Sequence, residues 1–213
     1  MTQIYCHELV DLLSKADTVD AIHSACSALC DQFGFDRFQY AARLPTPSAK
    51  PYYIFIGNYQ DEWRKRYFAK GYMSIDPVVT HCVNHMTPYS WEQITPLEQD
   101  HKIFRDFMGE AREFSLNSGV SFPIHSPHGE FAIFNVTSRL GPEHTHSQIS
   151  EATPFIHFFT ACLHESVREI FKQQMLSLKK VPLIDREREC LLWVSEGKTT
   201  WVPQKLSACP RIR

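Results

Sequence analysis

Glycine is scarce, 8 of 213 residues, which leaves little material for the glycine-rich loops that cradle phosphates. No G-x-S-x-G elbow and no H-E-x-x-H helix occurs, so the sequence carries no signature of serine-hydrolase or zinc-peptidase chemistry. Neither sign of charge is in surplus: 22 Lys plus Arg stand against 24 Asp plus Glu, a net −2. That balance excludes a basic nucleic-acid coat and an acidic disordered chain alike. No apolar run is long enough to span a bilayer, and the first eight residues lack a basic segment followed by an apolar one. Neither a membrane helix nor a secretory signal is expected. The seven cysteines (6, 26, 30, 82, 162, 190, 209) are odd in number and scattered. Reduced thiols in the cytoplasm are therefore expected rather than a disulfide framework.

Aromatic residues are plentiful, 15 Phe, 8 Tyr and 4 Trp in a chain that is 43% hydrophobic. Such a chain can build a core and still line an apolar pocket with the remainder. Val19, Ile22, Cys26, Leu29, Cys30 and Phe33 recur at helical spacing after Thr18, and Gly34 supplies a stop. This stripe makes Cys26 and Cys30 core residues rather than metal ligands. Strands are predicted from Phe35 to Arg43 and from Tyr52 to Ile56, parted by the breaker Leu44-Pro45-Thr46-Pro47-Ser48. A helix is expected from about Asp61 to Lys70, closed by Gly71, and Asp76-Pro77 reads as the start of another. The stretch from Pro88 to Trp91 is too short to assign. Ile103, Phe104, Phe107, Met108, Ala111 and Phe114 mark an amphipathic helix. Gly119–Ile124 and Phe131–Thr137 flank a turn and form a hairpin. A long helical pattern runs from Ser147 to Leu178, with Pro154 in its first turns or kinking it. The order of elements predicts an α+β fold, an antiparallel sheet covered by helices.

Two histidine groups, His81/Cys82/His85 and His144/His146, have partial metal-ligand spacing. Neither has a third ligand at matching distance, so no metal site is expected. Tyr59, Trp63 and Tyr67 stand four apart, and a helix starting near Tyr59 would align them on one face. These rings, with Trp91, serve either as core or as donors which, together with the Asp76 carboxylate, hold a small ligand bearing carbonyls and an amide N–H.

The run Phe55-Ile56-Gly57-Asn58-Tyr59…Trp63…Tyr67…Gly71-Tyr72…Asp76-Pro77…His81-Cys82 resembles the ligand domain of LuxR-type quorum-sensing regulators, especially LasR-like members. Gly119-Val120-Ser121-Phe122-Pro123-Ile124-His125 and Gly129-Glu130 continue the resemblance. The segment from Asp185 to Trp193, followed by Glu196-Gly197-Lys198-Thr199-Thr200-Trp201, is similar to the opening of that family's DNA-binding module.

The resemblance implies an α-β-α sandwich with a central five-stranded antiparallel sheet and a ligand between the sheet and one helical layer. It implies that an N-acyl-homoserine lactone is the ligand, with no cofactor and no catalysis. Carried over, Trp63 donates to the lactone carbonyl, Tyr59 donates to the acyl carbonyl, and Asp76 accepts the amide N–H. Tyr67, Trp91 and Phe107 pack on ring and chain, and Gly119 leaves room beneath them. Asn135 stands where relatives commonly carry Ser or Thr, which bears on recognition of a 3-substituent.

The resemblance also implies a ligand domain over 1–178, a linker over 179–182 and a helix-turn-helix remnant over 183–213. After Trp201 the sequence departs from the family, and Pro203 and Pro210 forbid a regular helix through the tail. The recognition helix is absent from the given sequence, so direct base readout is not expected. A cytoplasmic receptor that acts as a signal sponge or as an inhibitory heterodimer with a full-length regulator is expected, with homodimerisation through the long helix as the other pairing and no membrane association. The alternatives are a ligand-responsive transcriptional activator and, from another class, a lactone-processing enzyme, for which no nucleophile–base pair is present.

Overall fold

The structure is a computed structural model that describes residues 6–45, 51–127, 129–176 and 184–195. The chain divides into two compact units, Met1–Ser177 and Leu178–Arg213.

The first unit opens with α1 (Cys6–Ser14) and α2 (Val19–Phe33). Thr18 caps α2 by accepting from the Ala21 N–H at 3.2 Å, and Gly34 ends it in the left-handed conformation (φ 72°) with its N–H on the Cys30 carbonyl. Both ends therefore lie where the cap residues place them. Thr18→Ala should cost about 1 kcal/mol in urea unfolding, the usual loss for an N-cap oxygen. The predicted strands appear as β1 (Arg37–Leu44) and β2 (Tyr52–Gly57). Then come α3 (Asp61–Ala69), a 3-10 turn at Tyr72–Ser74, α4 (Pro77–Asn84), β3 (Tyr89–Ser90) and a second 3-10 turn at Trp91–Ile94. The series continues with α5 (Thr95–Asp100), α6 (Lys102–Glu113), β4 (Ser118–His125), β5 (Phe131–Ser138) and α7 (Pro142–Leu176).

The five strands form one antiparallel sheet in the order β2-β1-β5-β4-β3. Strand alternation gives each face its own helical layer. Phe38, Tyr40, Ala42 and Leu44 of β1, Val120 and Phe122 of β4, and Ala132, Phe134 and Val136 of β5 are buried against α1, α2 and α7. The intervening residues turn to the other side, where α3, α4 and α6 bury Trp63, Val78, Cys82, Phe107, Met108 and Ala111 with Ile133 of β5. The result is the expected α-β-α sandwich.

The helix α7 begins at Pro142, earlier than the predicted Ser147, and runs through Pro154. Its stripe Ile149, Ala152, Ile156, Phe159, Leu163 and Val167 is buried at three- and four-residue intervals. Pro154 and Ser150 are both exposed. The carbonyl that proline leaves without a helical donor is therefore on the side open to water. The buried Cys26 and Cys30 lie on the core stripe of α2, and burial pushes the Cys30 thiol up to about 12, far from thiolate chemistry.

In the second unit, α8 spans Asp185–Ser195, and Glu187 reaches back to accept the Ile184 N–H at 3.0 Å. This is the return half of a capping box. The expected linker at 179–182 and the segment after Ser195 lie outside the described residues.

Candidate functional site

The site grows from α3. Acidic Asp61 and Glu62 occupy its first turn and Arg66 its last, the charge order that the helix dipole favours. Gly71, at φ 65°, takes the left-handed turn that follows it. Arg66 pairs with Glu113 at 2.8 Å, and Lys70 pairs with Glu110. These two ion pairs tie the outer face of α3 to α6. The inner face carries Trp63 and Tyr67, one turn apart. Trp63 is buried within a cage of rings, with centroids 5.4 Å from Phe114, 5.9 Å from Tyr67 and 6.1 Å from both Tyr72 and Phe107. The helix begins at Asp61, so Tyr59 stands two residues before it rather than on its face. Tyr59 is nevertheless partly buried and packs with the same cluster.

Asp76 caps α4. Its Oδ1 accepts the Val78 N–H at 2.8 Å and its Oδ2 accepts the Tyr67 hydroxyl at 2.8 Å. Burial raises the Asp76 pKa above its ordinary value, although the bonds from Tyr67 and the α4 backbone pull it down in part. Each carboxylate oxygen keeps a further lone pair, so the group can still accept an N–H. Burial pushes the Tyr67 hydroxyl up, and the neighbouring Asp76 charge adds to the rise, so this hydroxyl stays a donor.

Between these helices and the sheet lies a cavity of about 250 Å³. Its walls include Tyr59, Trp63, Tyr67, Asp76, Trp91, Phe107 and Asn135, seven of the eight residues expected from the sequence. Val78, Val79, Met108, Ala111, Leu116 and Ile133 make the remainder strongly apolar. The Trp91 indole N–H is committed to the Ser121 hydroxyl at 2.9 Å, so Trp91 offers the cavity a ring face and no donor.

Gly119 is the exception. It does not line the cavity, and the expected space beneath the rings is not there. A Cβ at this position would meet the Val136 carbonyl oxygen at 2.7 Å and Thr137 Cγ2 at 2.9 Å. The glycine allows β4 and β5 to pair closely where Gly119 faces Thr137.

Three polar residues of the sheet were not singled out from the sequence: Gln39, Ser121 and Thr137. All are buried, and Gln39 lines the cavity. Gln39 Nε2 donates to the Tyr40 carbonyl at 2.9 Å and to the Ile56 carbonyl at 3.3 Å. The Asn135 amide donates to the Gln39 carbonyl at 3.4 Å. Gln39 Oε1, Asn135 Oδ1, Tyr59 Oη and Thr137 Oγ1 are buried without a hydrogen-bond partner. Thr137 lies close enough to Tyr59 to moderate the rise that burial imposes on the Tyr59 hydroxyl, but the two do not reach hydrogen-bond geometry.

His81 and His85 lie face to face at 4.1 Å and 13°, and Tyr89 stacks on His81 at 4.1 Å. Stacked imidazoles direct their in-plane lone pairs apart, which is no metal-chelating arrangement. Among the described residues no group of three or more His, Cys, Asp or Glu could hold a metal ion, and no helix is long and apolar enough to cross a membrane.

A largely apolar cavity whose lining includes one carboxylate, Asp76, and the ring donors of Tyr59 and Trp63 suits a small organic ligand. Residues 18–167 match the family model of the autoinducer binding domain, and the chain belongs to the LuxR-type family of autoinducer-binding transcriptional regulators. It is 30% identical over 196 residues to the transcriptional activator protein AnoR of Acinetobacter nosocomialis, covering 89% of this chain and 79% of that one. It is 28% identical over 209 residues to the transcriptional activator protein LuxR of Aliivibrio fischeri, covering 95% and 80%. Among solved structures, the N-acylhomoserine lactone dependent LuxR family factor CepR2 of Burkholderia cenocepacia shares the fold with a TM-score of 0.63 at 23% identity, over 78% of this chain and 94% of that one. Escherichia coli SdiA does so with a TM-score of 0.65 at 18% identity, over 96% and 83%.

Proposed function

We propose that this chain is a quorum-sensing receptor that binds an N-acyl-homoserine lactone in the cavity between the sheet and the α3–α6 layer. The observation that supports the reading is that Tyr59, Trp63 and Asp76 all line one largely apolar cavity. In this reading the Trp63 indole N–H donates to the lactone carbonyl and the Tyr59 hydroxyl to the acyl carbonyl, while Asp76 accepts the amide N–H. Tyr67 orients Asp76 through its 2.8 Å bond. Trp91 and Phe107 supply ring faces to the homoserine ring and the acyl chain. Each methylene buried adds about 0.8 kcal/mol. The protein binds the lactone without opening it, and it works in the cytoplasm.

Isothermal titration calorimetry tests the polar assignment. Asp76→Asn should weaken lactone binding about tenfold, roughly 1.5 kcal/mol, because it replaces a charged acceptor by a neutral amide of similar shape. Tyr67→Phe should cost less, since it removes only a group that orients the acceptor. Equal affinity of Asp76→Asn and the parent would overturn the assignment. Because burial raises the Asp76 pKa, affinity should also fall as pH drops through that raised value, where the carboxylate gains a proton and accepts less well. An assay for lactone ring opening separates binding from turnover, and an unchanged lactone recovered after incubation is the expected result.

Pro203 and Pro210 favour a second role. Proline disfavours a continued helical pattern in the sequence, and major-groove readers use a recognition helix. In this second reading the protein acts on the signal and on partners, by sequestering lactone or by pairing with a full-length regulator. The exposed Phe158 on α7 and the exposed Leu12 on α1 offer apolar surface for such pairing. In a gel-shift titration, adding this chain to a full-length relative should lower operator occupancy in proportion to its concentration. Sequence-specific binding by this chain alone at physiological salt would falsify the second role.

A further inference from the structure

Helix α4 supplies four residues of the cavity wall, Asp76 at its N-cap and Val78, Val79 and Val83 along its length. Its eight residues make a rod of about 12 Å, a little over two turns. A hydrogen-bonded rod this short moves as one piece, so whatever fixes its far end also fixes the carboxylate at its near end.

That far end has no glycine stop. His85 follows it in an extended conformation (φ −134°, ψ 153°), so the carbonyls of the last turn take donors from side chains. Two histidines provide them. His85 Nδ1 meets the His81 carbonyl at 3.0 Å, and His125 Nε2 meets the Cys82 carbonyl at 2.9 Å and the His85 carbonyl at 3.2 Å. A carbonyl oxygen only accepts, so both ring nitrogens carry the proton and donate.

His85 belongs to the end it caps, but His125 is the last residue of β4. It pairs in register with Phe131 of β5, and the two ring centroids stand 5.2 Å apart. The sheet thus holds this imidazole and presents its N–H to α4 from outside the cavity. The Tyr89 ring on His81 and the packing of Val78 and Cys82 also keep α4 close to the sheet. Apolar contacts are non-directional and let a helix slide or turn about its axis. The hydrogen bonds from His125 oppose both movements. At the other end, the partners of Asp76 are Val78 of α4 and Tyr67 of α3, which belong to the helical layer itself.

We propose that His125 is a positioning residue for ligand recognition: by fastening the C-terminal end of α4 to the sheet, it sets the Asp76 carboxylate against the ligand's amide N–H. The proposal rests on the lactone-receptor reading above.

Calorimetry on the full chain tests it, with unsubstituted N-acyl-homoserine lactones from hexanoyl to dodecanoyl and the tightest binder as probe. His125→Phe keeps a ring beside Phe131 and removes the donor. It should weaken binding about tenfold, while His125→Gln, which keeps an N–H at a similar reach, should stay within about threefold of the parent. The decisive reading is a double-mutant cycle. In the Asp76→Asn background, His125→Phe should cost less than about twofold further, because the two residues act through one contact. Each variant is first checked for a cooperative melt, and His125→Ala replaces the Phe variant if that one does not fold. Parent-like affinity of the donor-free variant, no recovery in His125→Gln, or an equal loss in both backgrounds would overturn the proposal and leave the receptor reading in place. Failure of every lactone to bind the parent chain would instead overturn the receptor reading, and this proposal with it.

Discussion

A saturating acyl-homoserine lactone should raise the melting temperature of this chain by about 5–10 °C. A ligand that binds only the folded state stabilises it by about 2.7 kcal/mol at a hundredfold excess over its dissociation constant. For a domain of this size each kcal/mol corresponds to roughly 2–4 °C. The site gives a structural reason to expect the full effect. Buried polar atoms of Gln39, Tyr59, Asn135 and Thr137 have no partner in the fold, and groups left in that condition destabilise the folded chain. A ligand that pairs some of them removes that cost as it fills the cavity of about 250 Å³. Differential scanning fluorimetry across a lactone series reads the shift. A melting temperature unmoved by every lactone in the series would overturn the assignment of the cavity as the signal site.

The α1/α2/α7 side of the fold was legible in the sequence because its residues obey one rule at a time. The α2 stripe has helical period, its caps are Thr18 and Gly34, and β1 alternates Phe38, Tyr40 and Ala42 with Gln39, Ala41 and Arg43. The other face of the same strand reads as solvent-facing by that rule, since Gln39, Ala41 and Arg43 include two polar residues. In the structure a second layer covers it. Alternation shows which residues share a face and is silent on whether a later helix lies over that face. Gln39, Ser121 and Thr137 were invisible for this reason. The α3 residues were found through a different signal, rings that carry donors at four-residue spacing. That signal placed Trp63 and Tyr67 correctly and extended the helix too far, to Tyr59. Gly119 shows the converse. A glycine read as space for a ligand is required by the neighbouring strand, whose backbone and Thr137 methyl occupy the volume a side chain would need.

Glu130→Ala should destabilise the fold by about 3 kcal/mol in urea unfolding at pH 7. Its carboxylate is buried beside the turn between β4 and β5, where the Arg168 Nε of α7 stands 2.9 Å from Oε2 and the His164 Nε2 lies at 3.5 Å. His164 Nδ1 in turn meets the Tyr40 hydroxyl of β1 at 2.7 Å. With Tyr40 donating, His164 is the neutral tautomer protonated on Nε2, which lies near Glu130 without forming a hydrogen bond to it. The chain from Tyr40 through His164 and Glu130 to Arg168 ties the sheet, the hairpin and the long helix together on the face opposite the cavity. Removing one member of a buried charged pair costs about 3–5 kcal/mol. The lower end applies here, because the Arg168 side chain is 27% exposed and relaxes into water. Burial alone would raise the Glu130 pKa, but the Ser126 hydrogen bond and the Arg168 charge, joined by His164 once acid protonates it, outweigh it and bring the value below 4.5. Burial lowers the His164 pKa below 6.5. In both cases the unfolded chain binds protons that the folded chain refuses, so stability falls on acidification, from about pH 6.5 downward for His164 and below about 4.5 for Glu130. The deficit of Glu130→Ala relative to the parent should therefore narrow as pH falls below 4.5, where the parent loses the same carboxylate by protonation. Glu130→Gln, which keeps an acceptor for Arg168, should lose less than the alanine variant at pH 7. An alanine variant within 1 kcal/mol of the parent at pH 7, or a deficit that widens in acid, would show that the network does not hold the helix to the hairpin.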